Sequence, residues 1–200
     1  WRVNLRIIPH TDEMIRDAHN RAEHLGALNN SILEGRGNAS GYMGEEALAA
    51  YLGAKIVSDE QYGYDLVVGG RNLEVKTKQR TVPPKDDYDV SIAATSRHQK
   101  PDLYAFLSLQ FDRSGSVDGK RRYGGLENIW LLGYKRPEDY FRDAELWMPG
   151  DVDPHNNFET HRQMYNLPVY KLDRPPSVAI LPAESLYESY GKQVGFWGGQ

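Results

Sequence analysis

The sequence contains no cysteine among its 200 residues. That absence excludes disulfide scaffolds, cysteine nucleophiles and thiolate metal sites. No apolar run approaches the roughly 18 residues that a membrane-spanning helix needs, so we expect no membrane partner. No basic segment followed by an apolar run is seen near the start, so we expect no secretory signal. A reducing cytoplasm is the default location for such a chain.

Two further kinds of site are missing from the sequence. The six histidines show no spacing typical of zinc ligands, and there is no glycine-rich loop of the nucleotide-binding type. What remains is an ordinary globular composition, with 40% hydrophobic and 26% charged residues. That balance places the chain outside the disordered class and predicts one folded domain.

Charge of one sign is concentrated in a single segment. The chain has a net charge of −4, and a uniform acid excess would disfavour a polyanionic partner. However, Glu138 to Glu159 holds seven acids and one base, a net −6, so the rest of the chain carries +2. Arg71 to Arg80 and Arg113 to Arg122 each carry a local +3. The composition therefore does not exclude a nucleic acid as partner.

The order of elements predicts a mixed α/β protein of the α+β kind. Helical spacing of apolar residues predicts helices over Thr11–Leu28 and Gly41–Leu52, with short helices at Pro137–Leu146 and Ala183–Tyr190. Six strands are predicted between these helices: 54–57, 64–68, 73–77, 90–95, 103–111 and 129–134. We divide the single domain into an N-terminal helix and loop (1–40), a core (41–135) and a C-terminal extension (136–200).

The segment from Tyr64 to Thr77 predicts a β-hairpin. With Gly69 and Gly70 at the centre of the turn, Leu66 pairs with Leu73 and Asp65 pairs with Glu74. Because side chains alternate along a strand, the apolar residues share a buried face, and Asp65, Glu74 and Lys76 share the other.

Two carboxylates directly across a hairpin repel each other, so something must offset the repulsion. A divalent cation between Asp65 and Glu74 would do so, because hard cations such as Mg²⁺ take oxygen ligands. Lys76 lies on the same face and can reach the same place. The alternative is a solvent-facing polar stripe with an incidental ion pair.

A third carboxylate precedes the hairpin. Glu45 falls on the stripe of Leu48, Ala49 and Leu52 that we expect to pack on the sheet, where an unpaired charge is unfavourable. It is either a further metal-site residue or a first-turn acid that favours the helix dipole. Glu46 lies at the flank, and the sequence does not decide between Glu45 and Glu46.

A helix Glu, then Tyr64-Asp65, then Glu74-Val75-Lys76 resembles the PD-(D/E)XK nuclease superfamily. Tyr64 stands where the motif name has Pro. The resemblance covers roughly residues 41–111, including the later strand Pro101 to Phe106. Within the superfamily, the chain is similar to small phage and bacterial nucleases. It implies a restriction-endonuclease-like fold, in which helices flank a central mixed β-sheet, here with a C-terminal extension.

The resemblance also implies Mg²⁺-dependent hydrolysis of DNA, with Mn²⁺ as a substitute, in a bacterial or phage-infected cell. Metal ligands would be Asp65, Glu74 and the Val75 carbonyl, with Glu45 at a second metal ion or its water. Lys76 would orient or help deprotonate the attacking water. From their positions beside the site, we expect DNA-backbone contacts from three cations, Lys78, Arg80 and Arg97.

Several alternatives stay open at the level of sequence. A Holliday-junction resolvase and a site-specific endonuclease share this metal site and differ in substrate loops and in dimerisation, and a homodimer fits either. A non-catalytic nucleic-acid-binding or assembly module is the alternative outside enzymes. The presence of Asp65, Glu74 and Lys76 together disfavours that module, because loss of one of them is the expected mark of an inactive copy.

Overall fold

The computed structural model describes residues 5–25, 36–57, 63–112, 116–117, 120–121, 125–154 and 157–174. The helices are α1 (Asp12–Leu25), α2 (Arg36–Leu52) and α3 (Pro137–Asp143). The strands are β1 (Arg6–Ile8), β2 (Lys55–Ile56), β3 (Leu66–Val68), β4 (Arg71–Arg80), β5 (Asp89–Ala93), β6 (Leu103–Phe111), β7 (Ser116–Val117), β8 (Lys120–Arg121), β9 (Leu126–Lys135), β10 (Glu145–Trp147) and β11 (Met164–Pro168).

A six-stranded sheet forms the centre, in the order β1-β9-β6-β4-β3-β2. Strands β4 and β6 are parallel, and the other neighbours are antiparallel. The chain is therefore a mixed α/β protein with a mixed central sheet, which confirms the prediction at that level. No helix of the described residues is long and apolar enough to cross a membrane.

One face of the sheet is covered by α2, which also packs on α1. Alternation along β4 turns Leu73 and Val75 toward this face, where they join Ala47 and Leu48 of α2 in one buried cluster. The helix approaches β4 closely at Gly44, since a Cβ there would lie 2.5 Å from Thr77 Oγ1. Only a residue without a side chain allows this separation between helix and strand.

The opposite face is covered by a three-stranded sheet, β10-β11-β5, together with α3. Tyr104 and Phe106 of β6 and Tyr140 of α3 are fully buried in this second cluster. The hydroxyl of Tyr140 donates to the backbone carbonyl of Tyr165 at 2.7 Å and lies 3.2 Å from that of Val90. The extension from residue 136 thus completes the fold around the core.

The predicted hairpin is confirmed in its register, with Leu66 opposite Leu73 and Val68 opposite Arg71. Strand β3 is shorter than predicted and begins at Leu66, because the preceding Asp65 bonds to β4 through its side chain. Helix α1 begins one residue later than predicted and is described as far as Leu25.

The connection between β5 and β6 contains a short 3₁₀ helix, Ala94–His98. The backbone N–H of Gln99 closes it by donating to the Ser96 carbonyl. A 3₁₀ helix also follows β11, at Val169–Lys171. The predicted helix at 183–190 lies outside the described residues.

Candidate active site

The side chain of Asp65, rather than a backbone carbonyl, accepts a hydrogen bond from the backbone of β4. Its Oδ2 accepts a hydrogen bond of 2.7 Å from the backbone N–H of Val75, while its own N–H donates to the Leu73 carbonyl. The carboxylate is thereby fixed against β4, beside the residue that follows Glu74. Asp65 is thus bonded to Leu73 and Val75, the residues on either side of Glu74. The paired register of β3 and β4 ends at Leu66, so it does not include the pairing of Asp65 with Glu74 that the hairpin predicted.

Glu74 is the most buried carboxylate that the structure describes, at 5% exposed. Its Oε1 accepts hydrogen bonds from Lys76 Nζ at 2.7 Å and from Gln99 Nε2 at 2.8 Å. Its Oε2 is buried and has no hydrogen-bond partner among the described residues. A buried carboxylate oxygen without a partner is unfavourable unless a further group binds there. Glu74 Oε2 is therefore the candidate position for a bound ligand.

The two carboxylates lie close enough to affect each other. Burial and then the charge of Glu74 raise the pKa of Asp65 from 3.8 to about 7. The charges of Lys76 and Arg21 act in the opposite direction, so both cations lie near this carboxyl. The charges of Lys76 and Arg21 therefore offset only part of the effect that burial and Glu74 have on the pKa of Asp65.

Lys76 is held in one position by three groups. Its Nζ donates to Glu74 and, at 3.1 Å, to Gln99 Oε1, and it lies 6.0 Å from the centre of the Tyr104 ring. Tyr104 pairs in register with Glu74, and its buried hydroxyl has no partner among the described residues. Burial and then the charge of Glu74 raise the pKa of Tyr104 to about 12.

Glu45 is buried, as its place on the apolar stripe predicted, but an arginine of α1 pairs with it. Arg21 contacts Glu45 Oε2 at 3.2 Å and Glu46 Oε1 at 3.1 Å, and its guanidinium lies 4.0 Å from the Tyr42 ring centre. Arg21 thus pairs with both Glu45 and Glu46, the two acids that the sequence left as alternatives for the site. Across the described residues, no three acids or histidines are placed together as a metal centre.

Lys78 and Arg80, predicted to contact DNA, point to the second sheet. Lys78 Nζ donates to the Asp89 carbonyl at 3.2 Å and to Ser91 Oγ at 3.4 Å, and Arg80 donates to the same carbonyl at 3.0 Å. Both bind β5 to the end of β4. Contact with phosphates from these two residues stays a prediction, whereas Arg97 is exposed and bonds to the Tyr165 hydroxyl.

The position of Lys78 predicts a pH-dependent stability. Burial, followed by the charge of Arg80, lowers the pKa of Lys78 from 10.5 to about 8. Between these values the unfolded chain binds the proton more tightly, so wild-type stability should rise relative to Lys78→Met as pH increases from 8 to 10.5. Chemical denaturation should show the gap changing by roughly 2–3 kcal/mol, at about 1.4 kcal/mol per pH unit.

The matched control for this measurement is Lys85→Met. Lys85 is exposed, so its charge stays in water in both the folded and the unfolded states. The stability gap between wild type and Lys85→Met should therefore stay constant over the same pH range. A constant gap for Lys78→Met as well would contradict the buried placement of its amino group.

Two residues of this site were not assigned to it from the sequence. These are Gln99, in the connection between β5 and β6, and Arg21, in α1. Neither has a local signal, because each reaches the carboxylates through tertiary packing from an element about 25 residues away in sequence. The spacing in Glu74-Val75-Lys76 identified the strand residues, and only the fold identifies their partners.

No protein-family model matches the chain, and no curated protein matches it at a significant level.

Proposed function

We propose that the protein is a Mg²⁺-dependent nuclease that hydrolyses DNA phosphodiester bonds, with Asp65, Glu74 and Lys76 as the centre of its active site. The observation that supports this most directly is Glu74, a buried carboxylate with one oxygen bonded to Lys76 and Gln99 and the other without a described partner. The proposal includes a restriction-endonuclease-like fold, on the resemblance of Asp65, Glu74-Val75-Lys76 and the helix acid to that superfamily.

The donor set fits a hard divalent cation. Asp65 and Glu74 would hold it through carboxylate oxygens, and the Val75 carbonyl is the third ligand that the resemblance implies. A cation there would satisfy Glu74 Oε2 and offset both burial and the charge of Glu74, the two causes that raise the pKa of Asp65. When bound, Mg²⁺ lowers the pKa of a water molecule and neutralises charge on the phosphoryl group.

The chain's own residues supply position and charge. Lys76 presents an ammonium group to the attacked phosphate and to the water that attacks it, and Gln99 fixes that ammonium with a hydrogen bond. Asp65 is held rigidly by the Val75 N–H, so it does not reorganise when charge develops. Glu45 is assigned to the site through the resemblance, and Arg21 neutralises it in the structure.

The experiment that tests the proposal is cleavage of supercoiled plasmid DNA with Mg²⁺ and with EDTA. We expect nicking or linearisation with Mg²⁺, none in EDTA, and activity with Mn²⁺ in place of Mg²⁺. A melting-temperature measurement should show stabilisation by Mg²⁺ in wild type and none in Asp65→Asn, because that variant removes half of the acid pair.

Parallel substrates separate the open alternatives. Cleavage confined to four-way junctions would identify a resolvase, and a few discrete fragments from linear DNA would identify a site-specific endonuclease. DNA binding without cleavage under any metal would contradict the enzyme and favour a binding module. Cleavage that persists in EDTA would contradict the metal site.

A further inference from the structure

An open cleft of about 540 Å³ lies directly beside the acid–lysine site. Gln99 is one of the residues that line this cleft, and its side-chain amide bonds to Glu74 and Lys76. A ligand in the cleft would therefore be separated from the ammonium of Lys76 by a single side chain. The volume is in the range of sites that bind one small organic group.

Part of the cleft wall is apolar. It is formed by Pro101, Pro137 and Phe141, three ring side chains with little conformational freedom. Phe141 makes edge-on contacts with the rings of Tyr140 and Tyr165, at 5.4 and 5.0 Å between centres, which fix its orientation. Rigid flat surfaces of this kind suit a planar, π-faced ligand.

The edges of the cleft are positively charged. Three cations and one acid line it: Arg97, Lys100, Arg142 and Glu138. Arg142 is paired with Asp139 and Asp143, at 2.6 and 2.8 Å, so the charge presented to a ligand comes mainly from the other two cations. Arg97 is pre-positioned, 5.6 Å from the ring centres of Phe141 and Tyr165 and 3.0 Å from the Tyr165 hydroxyl.

We propose that this cleft binds one unpaired nucleotide of the DNA strand next to the phosphodiester that is cut. The base lies against Pro101, Pro137 and Phe141, and its phosphate meets Arg97 and Lys100. A phosphate alone explains the cations but not the apolar walls, and an apolar side chain explains the walls but not the cations. A base within a duplex is held in the stack and does not enter a concave site, so the nucleotide is unpaired. The inference rests on the proposed nuclease function.

Fluorescence anisotropy in EDTA, where no turnover occurs, tests the cleft apart from the chemistry. We expect a labelled single strand to bind the wild-type protein about tenfold more tightly than a duplex of the same sequence. Arg97→Gln and Lys100→Gln should each weaken single-strand binding by about 5–20-fold and reduce the salt dependence by about 0.7 in the log–log slope. Lys85→Gln, a matched exposed cation beside Tyr88 and outside the cleft, should bind as wild type.

Phe141→Leu tests the stacking surface separately. It should weaken single-strand binding by about 5–10-fold while leaving the salt dependence unchanged, because no charge is lost. A deoxynucleoside monophosphate should compete only at millimolar concentration. Competition at micromolar concentration would identify a free nucleotide as the ligand and overturn the strand assignment.

The failure of this inference and the failure of the nuclease function are distinguishable. If Arg97→Gln and Lys100→Gln both bind single strands as wild type does, or if wild type binds none, the cleft assignment is wrong, whether or not the plasmid is cut. If the variants lose strand binding as expected but no metal supports cleavage, the cleft stands as a nucleotide site and the nuclease proposal is wrong.

Discussion

Replacing Glu74 with glutamine should abolish Mg²⁺-dependent cleavage of DNA, with a loss on the order of 1000-fold or more. Glutamine keeps the shape and both hydrogen-bonding positions of the side chain, so the amide can still contact Gln99 and Lys76. It removes the negative charge from the one buried carboxylate oxygen that has no described partner. A loss of only about 10–100-fold is typical of residues that support a metal site from outside it, so the magnitude tests the role of Glu74 as a ligand.

The same variant should lose metal binding as well as turnover. Mg²⁺ should raise the melting temperature of the wild-type protein and leave that of Glu74→Gln unchanged, since a ligand stabilises only a fold that binds it. Glu127→Gln is the matched control, because Glu127 also accepts a hydrogen bond from a glutamine amide, Gln110, at 2.6 Å. Cleavage by that control should stay within about twofold of wild type. Wild-type cleavage by Glu74→Gln would remove the basis of the proposed active site.

Lys76→Met should separate turnover from metal binding. We expect cleavage to fall by about 100–1000-fold, because the ammonium group that faces the attacked phosphate is lost. Metal binding should be retained or become tighter, because Lys76 competes with a cation for the carboxylate of Glu74. A loss of cleavage without a loss of metal binding distinguishes a catalytic cation from one that merely stabilises the strand.

Single-turnover cleavage and Mg²⁺ titration followed by melting temperature measure the two effects. Arg71→Met is the control on the same strand, since Arg71 lies at its start, 3.8 Å from Asp102. It should change neither quantity by more than about twofold. A Lys76→Met protein that cuts DNA normally, or that loses Mg²⁺ binding together with cleavage, would contradict the role proposed for the ammonium.

The sequence was sufficient for the local part of the site. Period-two alternation and the pair Gly69-Gly70 predicted the register of the hairpin, and the structure has Leu66 opposite Leu73 as expected. The same alternation placed Glu74 and Lys76 on one face, and they form an ion pair of 2.7 Å. These features depend on residues within ten positions of one another, so a single strand pattern determines them.

The distant partners of the site could not be predicted in this way. Lys78 shares the face of Lys76 and looked available for DNA, but β5 lies across it and accepts its hydrogen bonds. The sequence predicted a strand at this position, but no nearby residue indicates that the strand pairs with β11 in a second sheet. Similarly, a carboxylate on an apolar stripe requires compensation. For Glu45 the sequence left open a metal-site role or the helix dipole, and the structure pairs it with Arg21 of α1.

The second sheet has a consequence for how the chain acquires its structure during synthesis. Its strand β5 pairs residues 89–93 with residues 164–168 of β11, so the pairing closes a long loop that contains β6, β9 and α3. Until residue 168 has left the ribosome, the cover of Tyr104 and Phe106 on that face lacks β11 and is incomplete. The growing chain therefore exposes part of an aromatic surface and the unpaired edge of β5 until β11 has been made, and this part of the fold waits for the last described strand. Any shortened version ending before β11 should depend on chaperones, or aggregate.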